Sequence, residues 1–213
     1  MSSAWTGQVG APTQLLLLRH GQTELSVDQR YSGLGDPELA QLGHTQAAAA
    51  AVWLAARPIT AVLTSPLRRA RQTAAAVAEE TDAPLVVRPG LVETDFGRWE
   101  GLTFAEARAR DPDLHGRWLG TEDVAPPGGE SFRAIGERVA AELAAVVRDY
   151  PQETVVLVTH VTPIKQILRH ALAGGPEILY RLHLDVAGLS EVHYWSDGGA
   201  SVRLVNDTSH APA

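Results

Sequence analysis

Apolar positions along the chain fall into short runs separated by stretches of helical period. Gln14–Leu18 is a brief apolar run that breaks into Arg19-His20-Gly21, the pattern of a buried strand ending in a functional loop. A loop rich in Gly, Asp and Pro follows to about Asp36. Gln46–Ala56, with its alanine tract, predicts a helix, and Ile59–Thr64 predicts a second strand. Ser65-Pro66 predicts an N-cap followed by proline at the first helical position, opening a helix that runs to about Glu80. Leu85–Arg88 is a third strand, and Pro89–Thr103 a long loop bearing several polar residues. Phe132, Ile135, Val139, Leu143, Val146 and Tyr150 lie close to a helical period, which predicts an amphipathic helix over Glu130–Tyr150. Thr154–Thr159 is a fourth strand ending at His160, and Pro163–Leu172 resumes helical character. Leu189–Trp195 and Ser201–Asn206 flank Asp197-Gly198-Gly199, a hairpin-like connection, so one strand is expected to run antiparallel.

Strands alternating with helices at this spacing predict a three-layer α/β/α domain with a mostly parallel central sheet. The domain is expected to occupy residues 14–207, with residues 1–13 an N-terminal tail or linker remnant and residues 208–213 a C-terminal tail. A chain of 213 residues, 45% of them hydrophobic, suits one continuous core. Leu15–Leu18 and Val155–Val158, its most apolar runs of note, each fall far short of the roughly 20 residues a membrane span needs. The first thirteen residues lack the basic and apolar segments of a secretory signal, so a soluble, cytoplasmic protein is expected.

The chain has no cysteine, which excludes disulfides, zinc–thiolate sites and cysteine nucleophiles. Its formal net charge of −7 argues against nucleic acid or an anionic membrane as partner. An anionic substrate must therefore be held by local charge. In parallel sheets ligands gather at the carboxyl ends of strands. His20 and His160 each follow such an end, and the fold is expected to bring them together. Arg68 and Arg71 suit a solvated helix face. Trp99, Trp118, Tyr180 and Trp195 are expected in the core or at its rim, and His44, His115, His170, His183, His193 and His210 to be structural or exposed.

Four motifs then combine: Arg19-His20-Gly21, Ser65-Pro66-Leu67-Arg68-Arg69-Ala70, Leu91-Val92-Glu93-Thr94-Asp95-Phe96-Gly97 and Val158-Thr159-His160. Together they make the sequence resemble the histidine phosphatase superfamily, also called phosphoglycerate-mutase-like, from about Gln14 to Asn206. The resemblance implies His20 as nucleophile, Arg19, Arg69 and His160 as phosphate-pocket residues, and Glu93 as proton donor. The chemistry suits those roles. A neutral imidazole attacks phosphorus and splits hydrolysis into two easier steps through a phosphohistidine. Guanidinium forks and a second imidazole spread charge from the phosphoryl oxygens, and a carboxylic acid protonates the departing alkoxide.

Asp95, two residues beyond Glu93, would project to the same side if the loop were extended, and is the reserve acid. Gly21 is expected to let backbone approach an oxyanion. Gln22, Thr23, Ser26, Arg30, Ser32, Gly33 and Val161 complete the expected substrate-binding set. Two positions depart from the family pattern: Ser26 stands where asparagine is usual, with a shorter hydrogen-bonding reach, and Val161 where glycine is frequent, adding bulk beside the pocket. No metal and no cofactor is implied, the expected partner is a small phosphomonoester, and monomer or dimer stays open. The tract from Glu93 to Phe104 is similar to the α-ribazole phosphatase-like branch, whose substrate is a nucleotide precursor of cobalamin, and to the phosphatase domain that some bacteria fuse behind a ribonuclease H domain. A phosphoglycerate-mutase-type phosphotransferase, or a relative that binds phosphorylated ligands or proteins with little turnover, is the alternative.

Overall fold

A computed structural model describes Gln8 and residues 10–211. Its strands are β1 (Thr13–Arg19), β2 (Ala61–Thr64), β3 (Leu85–Val87), β4 (Thr154–Thr159), β5 (Leu189–Tyr194) and β6 (Ala200–Asp207). They form one sheet in the order β3-β2-β4-β1-β5-β6. β3, β2, β4 and β1 are mutually parallel, β5 is antiparallel to β1, and β6 is antiparallel to β5. One strand therefore runs against the rest, as the Asp197-Gly198-Gly199 connection predicts.

The helices are α1 (Glu24–Val27), α2 (Gln41–Leu54), α3 (Arg68–Thr81), α4 (Phe104–Arg110), α5 (Pro112–Trp118), α6 (Phe132–Asp149), α7 (Val161–Ala171) and α8 (Ile178–Arg181). The strand period of two sorts the core into two faces. Leu15, Leu17, Val155 and Leu157 pack with Ile135, Val139 and Leu143 of α6 and Ile164, Ile167 and Leu168 of α7. Leu16, Leu18, Val156 and Val158 pack on the opposite face with Ala50, Ala51 and Leu54 of α2 and Ala70, Ala74 and Val77 of α3. The small residues of that second face bring two helices close to the sheet and to each other. The architecture is the expected three-layer α/β/α fold.

Several boundaries differ from the sequence expectation for identifiable reasons. α3 does not start at Ser65-Pro66; its N-cap is Leu67, without a side-chain cap. Ser65 Oγ instead accepts from Leu67 N–H at 3.3 Å and meets His160. α2 begins at Gln41, ahead of the alanine tract. The loop before Asp36 contains α1, capped reciprocally by Thr23 and Ser26. α4 and α5 occupy a stretch for which no element was expected. Each has only seven residues, too few for a periodicity signal, although Thr103 and Glu106 form a capping box at the start of α4. Residues 1–7 and 9 of the expected N-terminal tail, and 212–213 of the C-terminal one, lie outside the described residues. Thr13 already belongs to β1, and His210 Nε2 donates to the Ala187 carbonyl at 3.0 Å. Among the described residues no helix is long and apolar enough to cross a membrane.

α2 also packs against the loop that leaves β1. A Cβ on Gly21 would overlap the Gly43 carbonyl, and a Cβ on Gly43 would overlap the Gln22 carbonyl, so two backbones touch where side chains would part them. Gly43→Ala is expected to destabilise the fold by about 1–3 kcal/mol through overpacking, read as a lower urea midpoint at unchanged slope. A shift under about 0.5 kcal/mol, the usual range for an inconsequential surface change, would show that this contact yields freely.

Candidate active site

The register of β1 on β4 pairs Arg19 with Thr159, so the next residue of each strand emerges at the same level. His20 N–H donates to the Thr159 carbonyl at 3.0 Å, and the two imidazoles, His20 and His160, lie with centroids 5.1 Å apart. On the far side of β4, Ser65 leaves β2, donates its N–H to the Val158 carbonyl at 3.1 Å, and presents Oγ 2.7 Å from His160 Nε2. The loop before β5 closes the other flank: Ala187 N–H donates to the His20 carbonyl at 3.1 Å.

Both histidines are buried. His20 Nδ1 lies 2.8 Å from the Gly21 carbonyl, which can only accept, so Nδ1 carries the proton and Nε2 keeps its lone pair. Burial, then the charges of Arg19 and Arg69, hold the His20 pKa well below the ordinary 6.5. Burial, then Arg69 and His20, do the same to His160, whose Nδ1 is buried without a hydrogen-bond partner.

Arg19 donates through Nη1 to the Leu184 carbonyl at 2.6 Å, while its Nε is buried and unpartnered. Burial pulls its pKa down to about 10, against the opposing pull of Glu93 and Asp185. Arg69, expected as a phosphate-pocket residue, is fully buried. Its Nη1 and Nη2 donate to the carbonyls of Gly35 (2.8 Å), Ser32 (3.0 Å) and Gly33 (2.8 Å), leaving Nε unpartnered. Glu100 grips the same loop from its amide side, accepting from Gly33 N–H at 2.9 Å and Gly35 N–H at 3.2 Å. Arg69 thus acts on the histidines as a charge and on residues 32–35 as a clamp.

Glu93 is 5% exposed. Its Oε1 accepts from Thr94 N–H at 2.8 Å, and its Oε2 from Thr162 N–H at 3.4 Å in the first turn of α7. Asp95 does not join it, which corrects the expectation that its carboxylate would stand on the Glu93 side. The chain turns at Phe96 (φ −84°, ψ 0°), and Asp95 Oδ1 accepts from Gly97 N–H at 2.8 Å.

A cavity of about 870 Å³ opens over this group. Arg19, His20 and Glu93 line it, with Gln22, Thr23, Ser26, Arg30 and Ser32 of the expected binding set, and Val161, Thr162 and Lys165 from α7. Phe96, Phe104, Trp118, Phe132 and Tyr180 supply aromatic wall. Among the expected site residues, Gly21, Gly33, Asp95, Arg69 and His160 stay outside the lining. Gly21 donates to Thr73 Oγ1 at 3.1 Å and accepts from His20, so its backbone is committed within the protein and its missing Cβ serves the contact with Gly43. Gly33 is taken up by the clamp. Ser26 and Thr23 cap α1, and Arg30 bonds the Gly101 carbonyl at 2.9 Å from the rim. His115, expected to be structural, is 3.0 Å from the Tyr31 hydroxyl and also lines the cavity. Sequence reasoning missed Lys165, Glu100 and the Leu182–Val186 segment. Position 165 was legible only as one helical turn beyond Val161.

Among known proteins, residues 15–208 match the model of the histidine phosphatase superfamily (branch 1), and the chain belongs to that superfamily. It is 54% identical over 210 residues to the bifunctional protein Rv2228c of Mycobacterium tuberculosis (strain ATCC 25618 / H37Rv), an alignment covering 98% of this chain and 58% of that relative's length. Glucosyl-3-phosphoglycerate phosphatase of the same strain is 41% identical over 155 residues, 69% of this chain and 70% of that one. The solved α-ribazole phosphatase of Shigella flexneri superposes with a TM-score of 0.82 at 26% identity, covering 92% of this chain and 97% of its own.

The buried histidines make stability depend on pH. Below about pH 6.5 the unfolded chain protonates His20 and His160 while the folded chain does not. Stability therefore falls on acidification by up to about 1.4 kcal/mol per pH unit for each histidine, until the lowered folded-state pKa is reached. Thermal unfolding from pH 7 to 5 should show Tm dropping through this window, with a shallower slope in His160→Asn. Equal slopes in the two proteins would contradict the assignment.

Proposed function

We propose that residues 14–207 form a phosphomonoesterase domain that hydrolyses small phosphorylated metabolites without a metal, through a phosphohistidine on His20. The observation that carries this reading is the tautomer of His20: its Nδ1 proton is spent on the Gly21 carbonyl, leaving Nε2 as a neutral nucleophile beside Arg19, Arg69 and His160. In the first step the Nε2 lone pair forms the N–P bond while the P–O bond to the leaving group breaks. The departing oxygen takes a proton from the Glu93 carboxyl group. In the second step water adds to phosphorus and gives its proton back to Glu93, the N–P bond returns its electron pair to Nε2, and phosphate leaves.

Arg19 Nε and His160 Nδ1 are donors with no other partner, suited to the phosphoryl oxygens as charge develops on them. Ser65 Oγ lies 2.7 Å from His160 Nε2, and on this reading its hydroxyl donates there, so that His160 carries its proton on Nδ1 as a neutral donor. The unequal bonding of Glu93 and Asp95 favours Glu93 as the acid. Among the described residues no group of three or more His, Cys, Asp or Glu is arranged to hold a metal ion.

The substrate follows less directly. α-Ribazole 5'-phosphate, which the sequence resemblance suggests, would rest its ring on the aromatic wall. A phosphorylated hydroxy acid, such as the substrate named for the glucosyl-3-phosphoglycerate phosphatase relative, would bring a carboxylate.

Hydrolysis of p-nitrophenyl phosphate in excess chelator tests the core of this reading. Wild type should retain its activity, and folded His20→Ala should lose at least about a thousandfold. Loss of wild-type activity in chelator, restored by Mg²⁺ or Zn²⁺, would overturn it. Glu93→Gln separates the acid from the nucleophile: kcat on an alkyl phosphate should fall about 10²–10⁴-fold, with a much smaller loss on p-nitrophenyl phosphate, whose phenolate departs without a proton. Equal losses on the two esters would remove Glu93 from the role of acid.

A further inference from the structure

Lys165 lies four residues beyond Val161 on α7, and so on the same helix face, one turn deeper along the cavity wall. Its Nζ is half-buried and makes one hydrogen bond, to the Leu179 carbonyl of α8 at 2.7 Å. Among the described residues it has no ion-pair partner; Glu93 acts on it only through space. An ammonium has three donors, so two remain. The other cations of the lining differ. Arg30 is bonded to Asp28 and Glu106, Arg19 feels both Glu93 and Asp185, and Arg181 is solvent-exposed.

The lining as a whole is cationic, with Arg19, Arg30, Lys165 and Arg181 against the two carboxylates Glu93 and Asp185, in a chain whose net charge is −7. One transferred phosphoryl group engages the His20 end of a cavity of about 870 Å³ and leaves the α7–α8 side open. A half-buried ammonium held there bears a desolvation cost without an ion-pair partner, a cost that an incoming anion offsets.

We propose that Lys165 is a specificity-determining residue that binds a second anionic group of the substrate, a carboxylate set a few bonds from the transferred phosphoryl group. The inference rests on the phosphomonoesterase reading and narrows its substrate class to phosphorylated hydroxy acids and their derivatives. The carboxylate accepts from the two free Nζ donors while Leu179 fixes the third. Glu93, one wall away, stays free to give and take its proton.

The test compares 3-phosphoglycerate with glycerol 3-phosphate, near-isosteric esters that differ by a carboxylate in place of a hydroxymethyl group, with p-nitrophenyl phosphate as the reference for turnover. Wild type should favour 3-phosphoglycerate by about tenfold to a hundredfold in kcat/KM, the range of one charge-assisted hydrogen-bond pair. Lys165→Met should collapse that ratio at least tenfold, chiefly through KM, and Lys165→Arg should keep most of it. A wild-type ratio near one overturns the proposal even if no variant folds. So does a Lys165→Met enzyme that keeps the ratio and loses kcat on all three esters, which would assign Lys165 to Glu93. Activity on p-nitrophenyl phosphate with no such preference removes only this subsite, whereas inactivity on every ester removes the phosphatase reading along with it.

Discussion

The site depends on one constraint, that two neighbouring parallel strands end level. Because Arg19 pairs with Thr159, the residues after them emerge side by side, and His20 is tied to the end of β4 by its own N–H. A slip of one residue in that register would send Leu15–Leu18 to the wrong faces of the sheet, so hydrophobic burial enforces it. The two core clusters thereby specify where the imidazoles sit. Packing energy gathered along seven residues of β1 is converted into the placement of one side chain at its tip.

What gathers there is electrostatically costly. One buried arginine, one partly buried arginine and two buried histidines meet at the sheet end, and the fold lowers the cost by keeping the histidines neutral and engaging the arginines with carbonyl oxygens. Arg69 is the clearest case. Three carbonyls of residues 32–35 face its guanidinium while the amides of that loop face Glu100, so a segment without regular structure is held from both sides of its peptide groups. A buried cation bonded to carbonyls retains its full charge. It depresses the basicity of both imidazoles from behind the loop, without occupying the cavity in front of it.

Most of the fold was legible in the sequence because it rests on local pattern. The four parallel strands and the reversed one, α6 and α7 follow from runs, periods and a Gly-Gly turn. His20 and His160 were legible as well, since strand ends are where a parallel sheet exposes chemistry, while Arg19 and Glu93 were singled out only by the family resemblance. The failures lie where local pattern does not determine the answer. Gly21 looked like an oxyanion cradle, but its reason for lacking a Cβ is Gly43, a neighbour visible only in three dimensions. Asp95 was assigned to the Glu93 side from an extended backbone, but its carboxylate is spent on the Gly97 N–H and stays out of the cavity lining. Ser65 looked like a helix cap, yet its hydroxyl is spent on His160. Lys165 carries no motif. It matters only because α7 starts beside His160 and α8 supplies a carbonyl that fixes its tip.

The strand order also bears on how the chain acquires this structure. β1, the first strand along the chain, pairs on one side with β4 and on the other with β5, both in the last third of the sequence. During synthesis, Leu15–Leu18 therefore has neither sheet neighbour until more than a hundred further residues have been added, and both loops must close against considerable chain entropy. The level strand ends that carry His20 and His160 are therefore completed late in chain synthesis. Until β4 and β5 arrive, the apolar first strand is the segment most in need of protection from pairing with another chain.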